Sequence, residues 1–271
     1  MEFLDTLIGR EATIKTQRSL FNNHIRNILP LTDSYDISFV SRAIITWQDK
    51  GLSAGTIRGL AYLLFKYIHW KTGKDIYDRR IIGVINRMKQ QAPPSIWTEE
   101  EVKKALQYAQ YTDAELYSML IFTLATGCRK GEMMAVTWED IDFIKGMVTI
   151  CRGLREGMTK SGKSRIIPMN KQLEKVLTGM YTVGKEEFHR VFLVSDPNPR
   201  LHQLCKETGV SLISWHSLRH TFATRALEAG VSPKKVAYLM GNSVKTLLDT
   251  YWNVGTINDL DLNFMIPTNE V

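Results

Sequence analysis

The stretch QAPPSIW, residues 91–97, sets the first limit on how this chain can fold. Pro93 and Pro94 each lack a backbone N–H and carry a ring that clashes with a preceding helical turn, so no helix passes through them. The residue before a proline is driven toward extended backbone as well. A chain of 271 residues is long enough for two domains. The reading is a domain over 1–92, a linker, and a second domain over 98–271.

The two parts differ in charge. Residues 1–90 hold 14 Lys and Arg against 8 Asp and Glu, whereas the remainder holds 21 against 20. Most of the net charge of +7 therefore lies in the first third, as in a segment that clamps a polyanion. Cys128, Cys151 and Cys205 have neither zinc spacing nor the even count of a disulfide framework, and read as reduced residues of an intracellular protein. The opening MEFLDTLIGREATIK has no signal-peptide core, and the apolar run LYSMLIFTLATG is too short to span a bilayer.

The first part reads as all helical. SFVSRAIITWQDKG stops at Gly51, and LSAGTIRGLAYLLFKYIHWKTG is capped by Ser53 or Thr56 and stopped by Gly73. Thr98 and Glu101 in WTEEEV form a capping-box pattern that restarts the chain, and Thr112 with Glu115 repeats it. A short helix is expected over about 130–136. The period then changes. DIDFIKGMVTIC alternates around a Lys145-Gly146 turn, and SRIIPM reads as a third strand. Helices return over 217 to about 229, in SPKKVAYLMG behind Ser232 and Pro233, and in SVKTLLDTYW. The fold class is mainly α with a small antiparallel β-sheet.

Five pieces of the second part carry chemistry: Arg129 in TGCRKGE, Lys160 in TKSGKSRIIP, His216 and Arg219 in HSLRH, Asn242 in LMGNS, and Tyr251 in LLDTYW. Taken singly, each has a plainer reading. Arg129 suits a helix end, Lys160 a solvated turn with Lys163 as its rival, and Tyr251 a buried pair with Trp252. Taken jointly, the region from Thr98 to Tyr251 resembles the tyrosine recombinase (phage integrase) family. Arg129 follows a T-G pair and precedes G-E, Lys160 stands eight residues before Pro168, His216 precedes Asn242 by 26, and Asn242 precedes Tyr251 by nine. The departure is Asn242, where the family carries a histidine.

The resemblance implies the roles. Arg129 and Arg219 grip the nonbridging oxygens of a phosphodiester with paired hydrogen bonds, a geometry lysine cannot reproduce. Tyr251 is the nucleophile, His216 the general base, and Lys160 the acid for the leaving 5′-oxygen. His220 packs and orients, and Glu132 supports Arg129. A 3′-phosphotyrosine keeps the bond energy, so no cofactor, neither ATP nor a metal, is expected. Asn242 can donate a hydrogen bond but carries no charge and cannot shuttle protons. The first part resembles the helical core-binding domain of a C-shaped clamp, with Arg58 and Lys66 toward DNA.

The implied function is site-specific DNA recombination on double-stranded DNA by a homotetramer, with accessory bending or directionality factors, in a cytoplasmic, nucleoid-associated setting of a bacterium or mobile element. Two other readings remain: a topoisomerase-like nicking and rejoining enzyme, and a catalytically weak DNA-binding or architectural relative. The apolar tail residues Leu260, Leu262, Phe264 and Met265, within 253–271, dock either on a neighbouring protomer or on their own domain.

Overall fold

The computed structural model describes residues 2–30, 35–88, 95–153, 164–184 and 189–251, with only the backbone of 182–184. The Pro93-Pro94 pair, Lys160, Lys163, Trp252 and the tail lie outside the described residues. Two compact units divide the chain, Met1–Ala92 and Pro93–Val271.

The N-terminal unit contains α1 (Glu11–Leu20), α2 (Ile37–Asp49), α3 (Ala54–Thr72) and α4 (Arg79–Arg87). Ser53 is the N-cap of α3, its hydroxyl accepting from the Thr56 N–H at 3.2 Å. Gly73 ends the helix in the left-handed conformation at φ 71°. One side of α3 supplies Leu60, Leu64 and Ile68 to a core shared with Ile25 and Trp47. Arg58 and Lys66 stand on its exposed side.

The C-terminal unit runs α5 (Glu99–Thr112), α6 (Ala114–Thr126), α7 (Lys130–Met133), β1 (Ile141–Asp142), β2 (Met147–Ile150), β3 (Arg165–Pro168), α8 (Lys171–Gly184), α9 (Asn198–Thr208), α10 (Trp215–Glu228), α11 (Pro233–Met240) and α12 (Val244–Tyr251). The Thr98–Glu101 capping box is present, with the Thr98 N–H to Glu101 at 2.8 Å and the Glu101 N–H to Thr98 at 3.2 Å. The strands form an antiparallel sheet in the order β1-β2-β3, with Gly146 at φ 64° in the expected turn. Trp97, Phe122, Phe192 and Trp215 are fully buried in the larger core of this unit.

Three local expectations need correction. The cap of α6 is Asp113, which accepts from the Leu116 N–H at 3.0 Å. Thr112 instead closes α5 through the Tyr108 carbonyl, and Glu115 pairs with Arg200 at 2.7 Å. The link between the two helices is one residue long, so Thr112 is still inside the first. α7 ends at Met133, short of 136. Ser232 holds the N-cap position of α11, but its side chain makes no capping bond.

Candidate active site

The site is assembled where α6 ends, α10 begins and α11 stops. Gly127 terminates α6 at φ 62°, and a Cβ there would fall 2.3 Å from the Phe222 ring on α10. Only glycine therefore lets the two elements approach. The turn it makes places Arg129 at the N-cap of α7.

Arg129 and Glu132 hold each other twice. The Arg129 N–H donates to Glu132 Oε2 and Arg129 Nη1 to Glu132 Oε1, both at 2.8 Å. This is the supporting contact expected from sequence. The second partner of Glu132 was not foreseen: Arg165 Nη2 donates to its Oε2 at 2.7 Å, and both side chains are 3% exposed. Burial alone would raise the Glu132 carboxyl. The hydrogen bond and charge of Arg165, with Arg129 beside them, outweigh it and hold the group below the usual carboxylate range. A signal for Arg165 existed in the strand itself. Along β3, Arg165 and Ile167 point inward and Ile166 and Pro168 outward, so the alternation puts a charge on the buried face.

Arg219 enters from α10 and is 2% exposed. Its Nη1 donates to the carbonyls of Gly127 at 2.7 Å and Met240 at 2.6 Å. Three successive carbonyls at the end of α11 thus take three different arginines. Arg165 Nε reaches Leu239 at 2.6 Å, Arg219 reaches Met240, and Arg129 Nη2 reaches Gly241 at 3.2 Å. A helix C-terminus leaves these acceptors open and carries negative potential, which suits cations. Burial, then the charges of Arg129 and Arg165, lower the Arg219 pKa to about 10. Arg129 and Arg165 both pair with the Glu132 carboxylate, whose charge also acts on Arg219, and Arg165 Nη1 is buried without a hydrogen-bond partner.

Asn242 follows the left-handed Gly241 cap at φ 64°. Its Oδ1 accepts from Arg129 Nη2 and Arg219 Nη2, each at 2.8 Å. Tyr251, at the end of α12, is 4% exposed and packs with Ala223, Val236, Ala237, Met240 and Leu247. Its hydroxyl meets His220 Nδ1. The exposed His216 lies edge-on to His220, with ring centroids 4.9 Å apart. The structure thus brings together Arg129, Glu132, Arg219 and Asn242, and joins His216, His220 and Tyr251 beside them. Lys160 falls outside the described residues, and Arg58 and Lys66 belong to the other unit. Among the described residues, no group of three or more His, Cys, Asp or Glu is placed to hold a metal ion, and no helix is long and apolar enough to cross a membrane.

Residues 96–256 match the model of the phage integrase family. The tyrosine recombinase XerC of Corynebacterium glutamicum is 26% identical over 271 residues, covering 93% of this chain and 85% of that one. The Tn1549 transposon integrase, solved in complex with a circular intermediate DNA, superposes with a TM-score of 0.72 at 20% identity over 91% of each chain. A lambda integrase tetramer bound to a Holliday junction gives a TM-score of 0.69 at 17% identity, over 91% of this chain and 74% of that one. Relatives and fold agree on one class, the tyrosine recombinases, enzymes of DNA strand exchange. The chain belongs to the phage integrase family, whose model spans more than half of it.

Proposed function

We propose that Tyr251 attacks the scissile phosphate of a recombination site in double-stranded DNA, giving a 3′-phosphotyrosine, and that Arg129 and Arg219 carry the charge that develops on the nonbridging oxygens. One observation supports this above the others: the two guanidiniums converge on a single oxygen, Asn242 Oδ1, at 2.8 Å each. Guanidiniums held side by side in advance, in a buried pocket with excess positive charge, keep their place when a phosphate arrives and need little reorganisation to stabilise it. The Tyr251 proton passes to a histidine of α10 as its oxygen bonds to phosphorus. The bond to the 5′-oxygen breaks, and Lys160 supplies the proton that oxygen needs. Rejoining runs the same steps backward.

In this reading the N-terminal unit binds the duplex through its basic surface, Arg58 and Lys66 among it, and four protomers act on two duplexes. Strand exchange between two sites needs four nucleophiles, which a closed ring of protomers supplies.

The test begins with the protein expressed in its host, followed by sequencing of the DNA it captures covalently. A nicked suicide duplex built from that sequence should give a denaturant-resistant adduct with the wild type. Tyr251→Phe should bind the duplex and give none. An adduct of normal yield from Tyr251→Phe would remove Tyr251 from the role. With a 5′-bridging phosphorothioate, whose sulfur leaves without a proton, Lys160→Ala should recover cleavage and Lys163→Ala should need no rescue.

A further inference from the structure

Glu132 presents the site with a problem of charge. It orients Arg129 through two hydrogen bonds, yet a carboxylate so close cancels much of the charge that Arg129 brings to a phosphate. Arg165 is the second cation on that carboxylate. Its Nη2 donates to Glu132 Oε2 at 2.7 Å and its Nε to the Leu239 carbonyl at 2.6 Å. Its Nη1 is buried against Gly241, where an added Cβ would lie 2.9 Å from it. Exposure separates the three side chains: Arg165 and Glu132 are each 3% exposed, Arg129 24%. Arg129 can therefore meet a ligand, and Arg165 lies too deep to touch one. Burial works against the Glu132 charge, and the hydrogen bond and charge of Arg165 oppose it ahead of those of Arg129. The charge of Arg165 is felt at Arg219 too, after burial and the charge of Arg129.

We propose that Arg165 is a positioning residue that neutralises Glu132 from inside the core, so that the carboxylate orients Arg129 without cancelling it and the scissile phosphodiester meets two full cations. The assignment rests on the recombinase reading above and deepens it at a residue that reading does not use. Three guanidiniums and one carboxylate sum to two positive charges, and without Arg165 one remains. A phosphodiester enters with one negative charge and gains a second as the tyrosine oxygen bonds to phosphorus. A fixed charge behind the site is therefore worth more in the transition state than in the bound ground state. Arg165 acts through Glu132 and Arg129 and never contacts DNA.

A charge series on the nicked suicide duplex tests this, with each rate taken per folded molecule. Arg165→Met should form its adduct at least about tenfold more slowly than wild type, with duplex affinity nearly unchanged. Arg165→Lys loses the fork but keeps the charge, and should stay within about threefold of wild type. The double variant Glu132→Gln/Arg165→Met removes one charge of each sign and returns the sum to two, so it should react faster than Arg165→Met alone. A merely structural Arg165 would make the double variant the slower of the two, and that result overturns the proposal. So does an Arg165→Lys as slow as Arg165→Met. Rescue of Arg165→Met by a 5′-bridging phosphorothioate would move its action to the leaving oxygen and overturn the proposal as well. If Arg165→Met does not fold, Arg165→Lys decides alone: a loss under about tenfold keeps the proposal and a larger one overturns it. A wild-type protein that binds the captured duplex and forms no adduct sinks the recombinase reading, and this assignment with it. A wild-type adduct beside an unimpaired, folded Arg165→Met sinks this assignment alone.

Discussion

The hydroxyl of Tyr251 is hydrogen-bonded to Nδ1 of His220. Burial favours the neutral form of each partner. It pushes the phenol up to about 12, against the pull of Arg219. It pushes the imidazole down to about 4, with the charges of His216 and Arg219 acting in the same direction. The proton therefore resides on Tyr251, and His220 accepts through Nδ1 with its own proton on Nε2. The family resemblance in the sequence implies a packing and orienting role for His220 and proton transfer by His216. The geometry makes His220 the direct partner of the phenol, with His216 edge-on to it at 4.9 Å.

This pair gives the protein a pH signature. An unfolded chain protonates its histidines as pH falls through about 6.5, whereas folded His220 resists until about 4. In that window the unfolded state binds more protons, so stability rises with pH. It is fully present above about pH 6.5 and is lost as pH falls toward about 4. Urea midpoints taken at about pH 7 and about pH 5 should drop further for wild type than for His220→Gln. Equal drops would mean that His220 titrates normally.

Arg129→Lys and Arg219→Lys should each slow adduct formation by about 10²–10³ while leaving duplex affinity nearly unchanged. Charge survives the substitution, but the fork that reaches two acceptors does not. Duplex affinity comes from many phosphate contacts and changes little when one is weakened. Near-normal cleavage by either variant would place that arginine away from the scissile phosphate.

Glu132→Gln removes the one carboxylate among three guanidiniums. Breaking a buried pair by deleting one partner typically costs about 3–5 kcal/mol, and Arg165 and Glu132 are each 3% exposed. Asp196→Asn, which breaks a half-exposed pair with Lys130, should cost at most about 1 kcal/mol. Equilibrium urea denaturation of the two variants measures the contrast. A Glu132→Gln protein no less stable than Asp196→Asn would show that Arg165 finds another counter-charge.

Gly127→Ala should cost about 2–4 kcal/mol, because it combines an unfavourable left-handed residue with overpacking against Phe222. It should also reduce adduct formation, since the Gly127 carbonyl is an acceptor for Arg219. Thermal melts and adduct rates of one preparation read both. An alanine that costs neither stability nor activity would require Phe222 to yield without moving Arg219.

Much of the fold was legible because its signals are local. Thr98 and Glu101 lie three residues apart and need only each other, Gly73 and Gly241 end their helices, and Gly146 makes the β1–β2 turn, as their backbone freedom suggests. The Thr112–Glu115 pattern misled for an equally local reason: Asp113 beside it was the better cap. The arginines, Asn242 and Tyr251 stood out because several spacings held at once. Arg165 did not stand out, since its partners Glu132 and Leu239 are 33 and 74 residues away and nothing near it in the chain marks them. The division of labour between His216 and His220 was hidden for a related reason. Both lie on one face of α10, and only the packing of α12 decides which of them meets Tyr251.

The end of α11 carries a kinetic meaning. Leu239, Met240 and Gly241 receive arginines from positions 165, 219 and 129, so no nearby stretch of chain can build this junction alone. Contacts of such long range form only after most of the chain has been gathered, because loop closure has to come first. On refolding from urea, helix should return early, and the capacity to cleave should appear only with the last slow phase. Substitutions that loosen the junction should accelerate unfolding while leaving the refolding rate almost untouched. A chain still short of its native state would then have disarmed arginines, and partly folded protein could sit on DNA without cutting it.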